Sequence, residues 1–599
     1  MRARDQVGEL RPSQLMHTYG VGATVELPEL TTLVLGLDDW PQALCETVSE
    51  PRLLAAVRAT RGPQVERLRT PPTVPEGESG GVPVAPFPRW LRCPLCSLLA
   101  PIDNGLFEFR PDRWRPERTT YVHTGCPKSH TRRPPTAYPA RYLMACEAGN
   151  LDDFPWVQFL HGGLPCPGTL RLRELGSGGR ATDIQLSCDQ CRRSRRLSQA
   201  FGEDARPFLP PRCRGRHPHL GITQRECSKE PLTLLLGASN AWFPVGMSAL
   251  SIPSREGVVA QAVEEAWGHL EGLPAPSFLE YALREVPGLA RLRALAETEG
   301  ADAVREAVCQ RRSGTADEDP ADLRGPEWRV LCDPDNAPAS ADFQLRPVPA
   351  PRDLAGALAD VVLVERLREV SALTGFTRIS APDDAADAAA ALAPLSRAEP
   401  RWLPCSEVRG EGIFLRLPET RVQEWEQAYR ASGSARELSD AHRSWRVRRS
   451  LDPDQGWPGE RYVLLHSLAH ALIRELALEC GYTASSIRER IYADASMAGV
   501  LLYTAAPDSE GTLGGLVSLG EPDELGPLLR NALERAQLCS SDPLCAEHDP
   551  RSDGSVHAAA CHACQFASET SCERGNRFLD RGALIATLAG AGHPYFLSG

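Results

Sequence analysis

The sequence predicts a mixed α/β (α+β) multidomain chain, with small zinc-ribbon modules in the N-terminal half and a zinc-binding α/β domain at the C-terminus. Three observations point there. The chain has 599 residues, too many for one hydrophobic core. Many of its 19 cysteines are closely spaced, with pairs at Cys93-x2-Cys96, Cys188-x2-Cys191 and Cys561-x2-Cys564. Short strand-like runs alternate with segments whose apolar residues recur every three or four positions, as in RYVLLHSLAHALIRELALEC.

Taken in order, residues 1–60 form a strand-rich segment, because Gly20 and Gly22 permit a turn ahead of the Val/Leu/Thr run TVELPELTTLVLGL. Residues 61–88 are rich in Pro and Gly and read as a linker. Residues 89–235 hold the N-terminal cysteines in short strand-like runs, a basic zinc-ribbon module. Residues 236–455 are a mixed middle region. There VVAQAVEEAWGHL and FLEYALREVPGLARLRAL have helical spacing, and LAGALADVVLVERLREVSALTGFTRI is apolar with a helical start. Residues 456–599 form the C-terminal zinc-binding domain. Its first helix should stop at Gly481, which can adopt a left-handed cap.

Composition narrows the function classes. Hydrophobic residues make up 42% and charged residues 24%, ordinary values for a soluble globular protein. No window approaches the ~20 apolar residues that span a bilayer, and MRARDQVGELRPSQLMHTYG has no apolar signal core. The expectation is a cytoplasmic protein with no membrane contact. In a reducing compartment, clustered Cys-x2-Cys pairs favour metal over disulfides. The net charge is −12, yet residues 89–230 hold 23 Lys and Arg against 14 Asp and Glu, a balance of +9 that leaves −21 for the remainder. A basic module inside an acidic chain suits phosphate contact. The two lysines, Lys128 and Lys229, do not lie in a G-x-x-x-x-G-K-[ST] loop, so the phosphate-cradling lysine of a P-loop ATPase is missing.

Three candidate zinc sites follow from spacing. A Cys-x2-Cys turn presents two thiolates to one tetrahedral ion. Cys93 and Cys96 have Cys126 as a natural third ligand. The fourth is His123, His130 or Cys146, and the Cys126-x3-His130 spacing favours His130. Cys188 and Cys191, with Cys213 and Cys227, make a complete set of four thiols. Arginines surround it: Arg192, Arg193, Arg195 and Arg196 on one side, Arg212, Arg214 and Arg216 on the other. At the C-terminus five thiols compete for four positions. Spacing selects Cys545, Cys561, Cys564 and Cys572, with Cys539, Cys545, Cys561 and Cys564 close behind. The expected complement is about three structural zinc ions. His557 and His562 are bystanders unless a second ion is present.

Other constellations are weaker. His466-x3-His470 places two imidazoles on one helix face, but the HExxH glutamate is absent because position 467 is serine. The Gly-rich stretch Asp508–Gly515 reads as a loop between strand and helix, with close backbone approach as the sharper alternative. Glu407, Arg409 and Glu411 alternate along a strand and read as a solvated face. A second arginine group, Arg443, Arg446, Arg448 and Arg449, flanks Trp445, which is available to stack on a base.

Read together, several stretches resemble the DrmB family of the DISARM anti-phage system, in order and over nearly the whole chain. They are RPSQLMHTYGVGATVELPEL, FPWVQFLHG, SNAWFPVGMSALSIP, RLREVSALTGFTRI, EVRGEGIFLRL, LLHSLAHALIREL, SEGTLGGLV and CHACQFASETSCERGNRFLDR. The C-terminal portion also resembles a domain of unknown function that ends MrfA-type helicases, where a four-cysteine metal site is found. The resemblance implies a non-catalytic subunit beside DrmA, a helicase-like ATPase. Together they engage DNA while a methyltransferase marks the host's own. It carries the metal site onto Cys539, Cys545, Cys561 and Cys564, leaving Cys572 as an extra thiol; spacing ranks them otherwise, so all five stay candidates. Two alternatives stand beside this expectation: a metal-dependent hydrolase or nuclease using His466 and His470, and a scaffold without DNA contact.

Overall fold

The computed structural model describes residues 12–596 except for 74–80, 113–114, 116–117, 132, 177–179, 203–204, 224–226, 254–258, 260–261, 264–265, 271, 274–277, 299, 314–318, 338, 383–386, 388–390, 505–514 and 591–592. The Gly-rich stretch from Asp508 to Gly514 therefore lies outside the described residues. The chain divides into two compact units. The first takes residues up to 49, 61–247 and 371–406; the second takes 50–60, 248–370 and 407–599. Among the described residues no helix is long and apolar enough to cross a membrane.

The first unit is built from short antiparallel strands. Its largest sheet has the order Ser194–Arg196, Ile184–Cys188, Leu170–Glu174, Leu98–Pro101, Trp90–Arg92, Thr136–Pro139, Thr120–His123, Phe107–Arg110. Cys93–Cys96 is the turn between two adjacent strands of this sheet, and Cys188–Cys191 opens the turn between two others. A smaller sheet pairs Tyr142–Ala145 with Leu151–Asp153 and Leu232–Leu235. Arg378 is 1% exposed. Its guanidinium donates to the carbonyls of Gly149 (3.1 Å), Ala241 (2.6 Å) and Gly22 (2.7 Å). Gly22 and Gly149 have φ of 79° and 73°, the left-handed region in which glycine is least strained.

The second unit centres on a sheet to which it contributes residues 360–370 of the strand Asp360–Thr377, residues 407–416 of the strand Trp402–Arg416, and the strands Gly499–Thr504 and Ile487–Tyr492. Both faces are buried. Leu363, Ile413, Leu415, Val500, Leu502, Ile487 and Ile491 pack in one core with Leu464, Leu465 and Leu468 of the helix Glu460–Cys480. The residues of opposite parity, Val362, Val364, Phe414, Leu501 and Tyr503, pack in another with Leu250 and Leu331. This is the two-residue period of a strand covered on both sides. The helical start expected near Leu354 is limited to the short turn Arg352–Leu354, and Asp360–Thr377 is one long strand. Its β-branched Val361, Val362, Val364 and Val370 suit a pleated, buried surface. The helix Glu460–Cys480 ends at Gly481 with φ 68°, as its sequence signal predicts.

The second face of that sheet holds paired charges. Arg490 grips Glu327 in bidentate fashion at 2.6 and 2.7 Å, and Tyr492 donates to the same carboxylate at 3.1 Å. Arg488 and Tyr503 donate to Glu369 at 3.0 and 2.9 Å. Burial works against ionised Glu327, but the Arg490 guanidinium wins and holds its carboxyl below the usual range.

Candidate metal centres

Two Zn–S bonds of about 2.3 Å at a tetrahedral angle set their sulfurs ~3.8 Å apart, and a sulfur and an imidazole nitrogen ~3.5 Å apart. The described residues contain five groups of thiols, imidazoles or carboxylates whose donor atoms all lie within 4.8 Å of one another. Sequence spacing offered three.

The first group is Cys93, Cys96, His123 and Cys126, all buried. The Cys93 and Cys126 sulfurs are 3.8 Å apart, and the Cys96 sulfur lies 3.5 Å from His123 Nδ1, both tetrahedral spacings. The turn is closed by Cys93 N–H to the Leu98 carbonyl (2.9 Å) and Ser97 N–H to the Cys93 carbonyl (2.9 Å), with Ser97 at φ 60°. His123 ends a strand, and the chain reverses at Gly125 (φ 74°) to return Cys126 to the same place. That reversal leaves His130 exposed and outside the group. The imidazole is thus His123, delivered by a strand end, and not the His130 that spacing favoured.

The second group repeats this design with different donors. Cys188 and Cys191 meet His161 and Cys166, not Cys213 and Cys227. Cys166 and Cys188 sulfurs are 3.6 Å apart, and Cys191 Sγ is 3.7 Å from His161 Nδ1. Arg192 takes the place of Ser97, with φ 58° and its N–H donating to the Cys188 carbonyl at 3.1 Å. A side chain at Gly168 would place its Cβ 2.3 Å from the Cys188 sulfur, so only glycine leaves that thiolate room.

Cys213 and Cys227 belong to a third group with Cys146. Strand pairing explains the exchange. Ala145 pairs with Leu232, which brings Cys146, the next residue, to 3.7 Å from the Cys227 sulfur. Asn150 donates to both sulfurs, at 3.2 and 3.4 Å. The Cys213 thiol, aided by Asn150, brings Cys146 down to about 5, which favours the thiolate that binds metal.

In the second unit, Cys539, Cys545, Cys561 and Cys564 form the fourth group. Contacts of 3.5 Å (Cys539 to Cys561), 3.6 Å (Cys545 to Cys564) and 3.7 Å (Cys561 to Cys564) match a tetrahedral ion. The loop is aimed from behind. Buried Arg581 caps the carbonyls of Ala536 (2.7 Å) and Gln537 (3.0 Å) and pairs with Asp542. Asp542 in turn accepts from the N–H groups of Cys539 (2.8 Å) and Ala546 (3.1 Å). Burial opposes a Cys561 thiolate, but the Ala563 N–H and neighbouring thiols bring it down to about 7. Cys572, which spacing preferred to Cys539, is not in this group. It joins His466, His470 and Glu489. Burial and Glu489 resist ionisation of Cys572, yet His466 and His470 bring it down to about 7. Burial also resists protonation of His466, but Glu489 and Cys572 push it up to about 9.

The arginines expected to meet phosphate divide by exposure. Arg192, Arg193, Arg196, Arg212, Arg214 and Arg216 are exposed. Arg214 and Arg216 share Asp152, at 3.1 and 3.0 Å. Arg193 donates to the His161 carbonyl (3.1 Å), and half-buried Arg195 stacks 3.5 Å from the centre of the Phe208 ring. In the second group, Arg443 pairs with Asp454 and Arg448 donates to the Gly554 carbonyl. Arg446 is 1% exposed and donates to the Asp452 carbonyl, which withdraws it from phosphate. Trp445 is buried, with Arg449 3.8 Å and Arg577 5.1 Å from its ring centre, so its face is covered and offers no stacking platform. Glu407 and Arg409 are paired with Arg368 and Asp342, and Glu411 is buried, accepting the Leu516 N–H. They form no site.

Comparison with known proteins places these groups. A model of a domain of unknown function (DUF8724) matches residues 11–243, and a model of the MrfA Zn-binding domain matches residues 468–565. The second span contains all four cysteines of the fourth group, while His466 and Cys572 lie outside it. The chain is 32% identical to the DISARM protein DrmB of Bacillus paralicheniformis (strain ATCC 9945a / NCIMB 11709 / CD-2) over 543 residues, 87% of this chain and 92% of the relative. A crystal structure of the DUF1998 helicase MrfA bound to DNA aligns at 10% identity and a TM-score of 0.16, over 37% of this chain and 23% of that one. A likeness of that degree carries no argument.

Proposed function

Since the chain belongs to the family of the DISARM protein DrmB, we propose that it is a zinc-stabilised, non-catalytic subunit of a bacterial anti-phage complex. In this reading it works beside a helicase-like ATPase of the DrmA kind and lends basic surface to the DNA path. The observation that carries it is the 32% identity over 92% of the DrmB relative. The lack of a P-loop lysine in the sequence agrees with an ATP site on the partner. The zinc ions of the four-donor groups act structurally, because four protein donors leave no open position for substrate. Their number exceeds the three that spacing suggests if the third group and the His466 group are filled. The basic segment 89–235 and the zinc-binding segment 456–599 are taken as the two functional modules, separated by 236–455 and preceded by 1–60 and the linker 61–88.

For DNA contact, the exposed arginines of the Cys188–Cys191 turn and of the Cys213 loop are the best supported. Arg192 and Arg212 have no acidic partner among the described residues. Charge reversal at both, R192E with R212E, should weaken binding across DNA sequences. It should also lower the slope of log affinity against log salt by up to about 2, since each phosphate contact contributes ~0.9. The measurement is DNA affinity over a salt series, for the chain alone and with its helicase partner. An unchanged slope with an intact fold would exclude these arginines from the DNA path. Partner binding that survives the change with no DNA contact would leave a pure scaffold.

A further inference from the structure

We propose that His466, His470, Glu489 and Cys572 hold a further divalent metal ion, best matched by zinc, as a closed structural centre in the core of the second unit. The inference does not rest on the defence reading. It rests on how three segments converge. His466 and His470 lie one turn apart on the helix Glu460–Cys480, and their rings meet edge to face at a centroid distance of 4.5 Å. Glu489 has the strand parity of Ile487 and Ile491, so it points at that helix. Cys572 arrives from the loop after the four-cysteine group.

The distances suit one ion. His466 Nε2 is 3.1 Å from both Cys572 Sγ and Glu489 Oε1, and His470 Nε2 is 3.4 Å from Glu489 Oε2. Ligands bonded to zinc at their usual lengths lie ~3.3–3.8 Å apart, so small adjustments would seat it. Three of the four donors have the supporting hydrogen bonds that ligands need, while His466 Nδ1 makes none. His470 Nδ1–H donates to the Gln565 carbonyl at 2.7 Å, which leaves Nε2 with its lone pair towards the other donors. The Asn576 N–H donates to the Cys572 sulfur (3.1 Å), and the Glu573 N–H donates to a Glu489 oxygen (2.9 Å). The facing atoms His470 Nε2 and Glu489 Oε2 make no directed hydrogen bond, although both side chains are fully buried. Buried polar atoms rarely stay so, and a metal would satisfy both.

Charge points the same way. With both rings neutral, a carboxylate and a thiolate carry two negative charges, which one dication balances. Two nitrogens, one oxygen and one sulfur suit zinc. All four donors are buried, so no position is left open for water, which argues against the hydrolase alternative at these histidines.

The test is metal content of the full-length chain, wild type against Cys572→Ala. The proposal expects the variant to lose one equivalent while keeping that of the four-cysteine group, and Cys561→Ser to lose a separate one. Equal metal content in wild type and a folded Cys572→Ala chain would overturn it. Should the variant fail to fold, anomalous diffraction at the zinc edge from wild-type crystals decides. A peak between the four side chains supports the centre. A peak at Cys539, Cys545, Cys561 and Cys564 with none here refutes it, leaving a metal-free network of paired charges.

Discussion

Arg378 in the first unit and Arg490 in the second are both buried guanidiniums, and they are satisfied differently. Arg378 is met by three carbonyl oxygens, offered partly by glycine turns. Arg490 is met by a carboxylate gripped at two points. The first arrangement depends on the backbone staying where it is. The loop offering Gly149 is tied to a thiol group, because the Gly149 N–H donates to the Cys146 carbonyl and the Cys146 N–H to the Asn150 carbonyl. The second arrangement depends on charge. The first unit, which holds three of the five groups, ties such turns to thiol clusters, whereas the central sheet of the second is held by ion pairs.

The largest effect should come from metal removal. A strong chelator at neutral pH should open the eight-stranded sheet of the first unit to amide hydrogen exchange, because structural zinc is worth on the order of 10 kcal/mol to a small domain. In the second unit the loss should centre on the strand Ile487–Tyr492, which carries Glu489, and spare residues 360–370. Equal loss over 360–370 and over the first unit's sheet would break the comparison. Next in size is Glu327→Ala. Leaving buried Arg490 without its bidentate carboxylate, with only the more distant Glu369 (3.8 Å) for countercharge, should cost up to about 3–5 kcal/mol, read as a drop in the denaturant midpoint of the second unit, with metal content unchanged. Acid should act more gradually and in order. Burial, which outweighs its bond to the Pro394 carbonyl, holds His219 in the first unit down to about 3. An unfolded histidine titrates near ~6.5, so the unfolded chain binds the extra proton between those values. The stability contributed by His219 is present above pH ~6.5 and lost as pH falls towards about 3. Glu327 is held below the usual carboxylate range, so its contribution begins to fade only below pH ~4.3. Hydrogen exchange from pH 7 to pH 4 should therefore loosen the first unit before the second. The reverse order would show that ion pairing is not what protects the second unit.

The sequence made part of each metal group legible, from two of four donors at Cys188 and Cys191 to all four candidate cysteines at the C-terminal group. Cys-x2-Cys is a local signal, because one turn places both sulfurs. The rest is set by pairing between distant strands. His123 and Cys146 enter as neighbours of strand ends, and the register of those strands has no signature in spacing. Cys166 drew no attention because His161-x4-Cys166 resembles no common ligand interval; the glycines between them, in FLHGGLPC, were the available hint. The His466–His470 spacing was visible, but Glu489 and Cys572 reach it through packing of a helix on a strand and a loop. The arginine runs were visible too, although composition does not separate Arg192, which is exposed, from Arg446, which is buried. The one long strand misread as partly helical, Asp360–Thr377, is apolar on both faces, a pattern that a buried helix shares.

The matched turns at Ser97 and Arg192 have a consequence for sequence choice. Both positions hold a left-handed backbone, where a side chain costs about 1 kcal/mol relative to glycine. Selection for thermal tolerance alone would therefore drift towards glycine at both. An exposed arginine kept at such a tip trades a little heat resistance for a positive charge held at a fixed address, and a library screened only for melting temperature would discard it first.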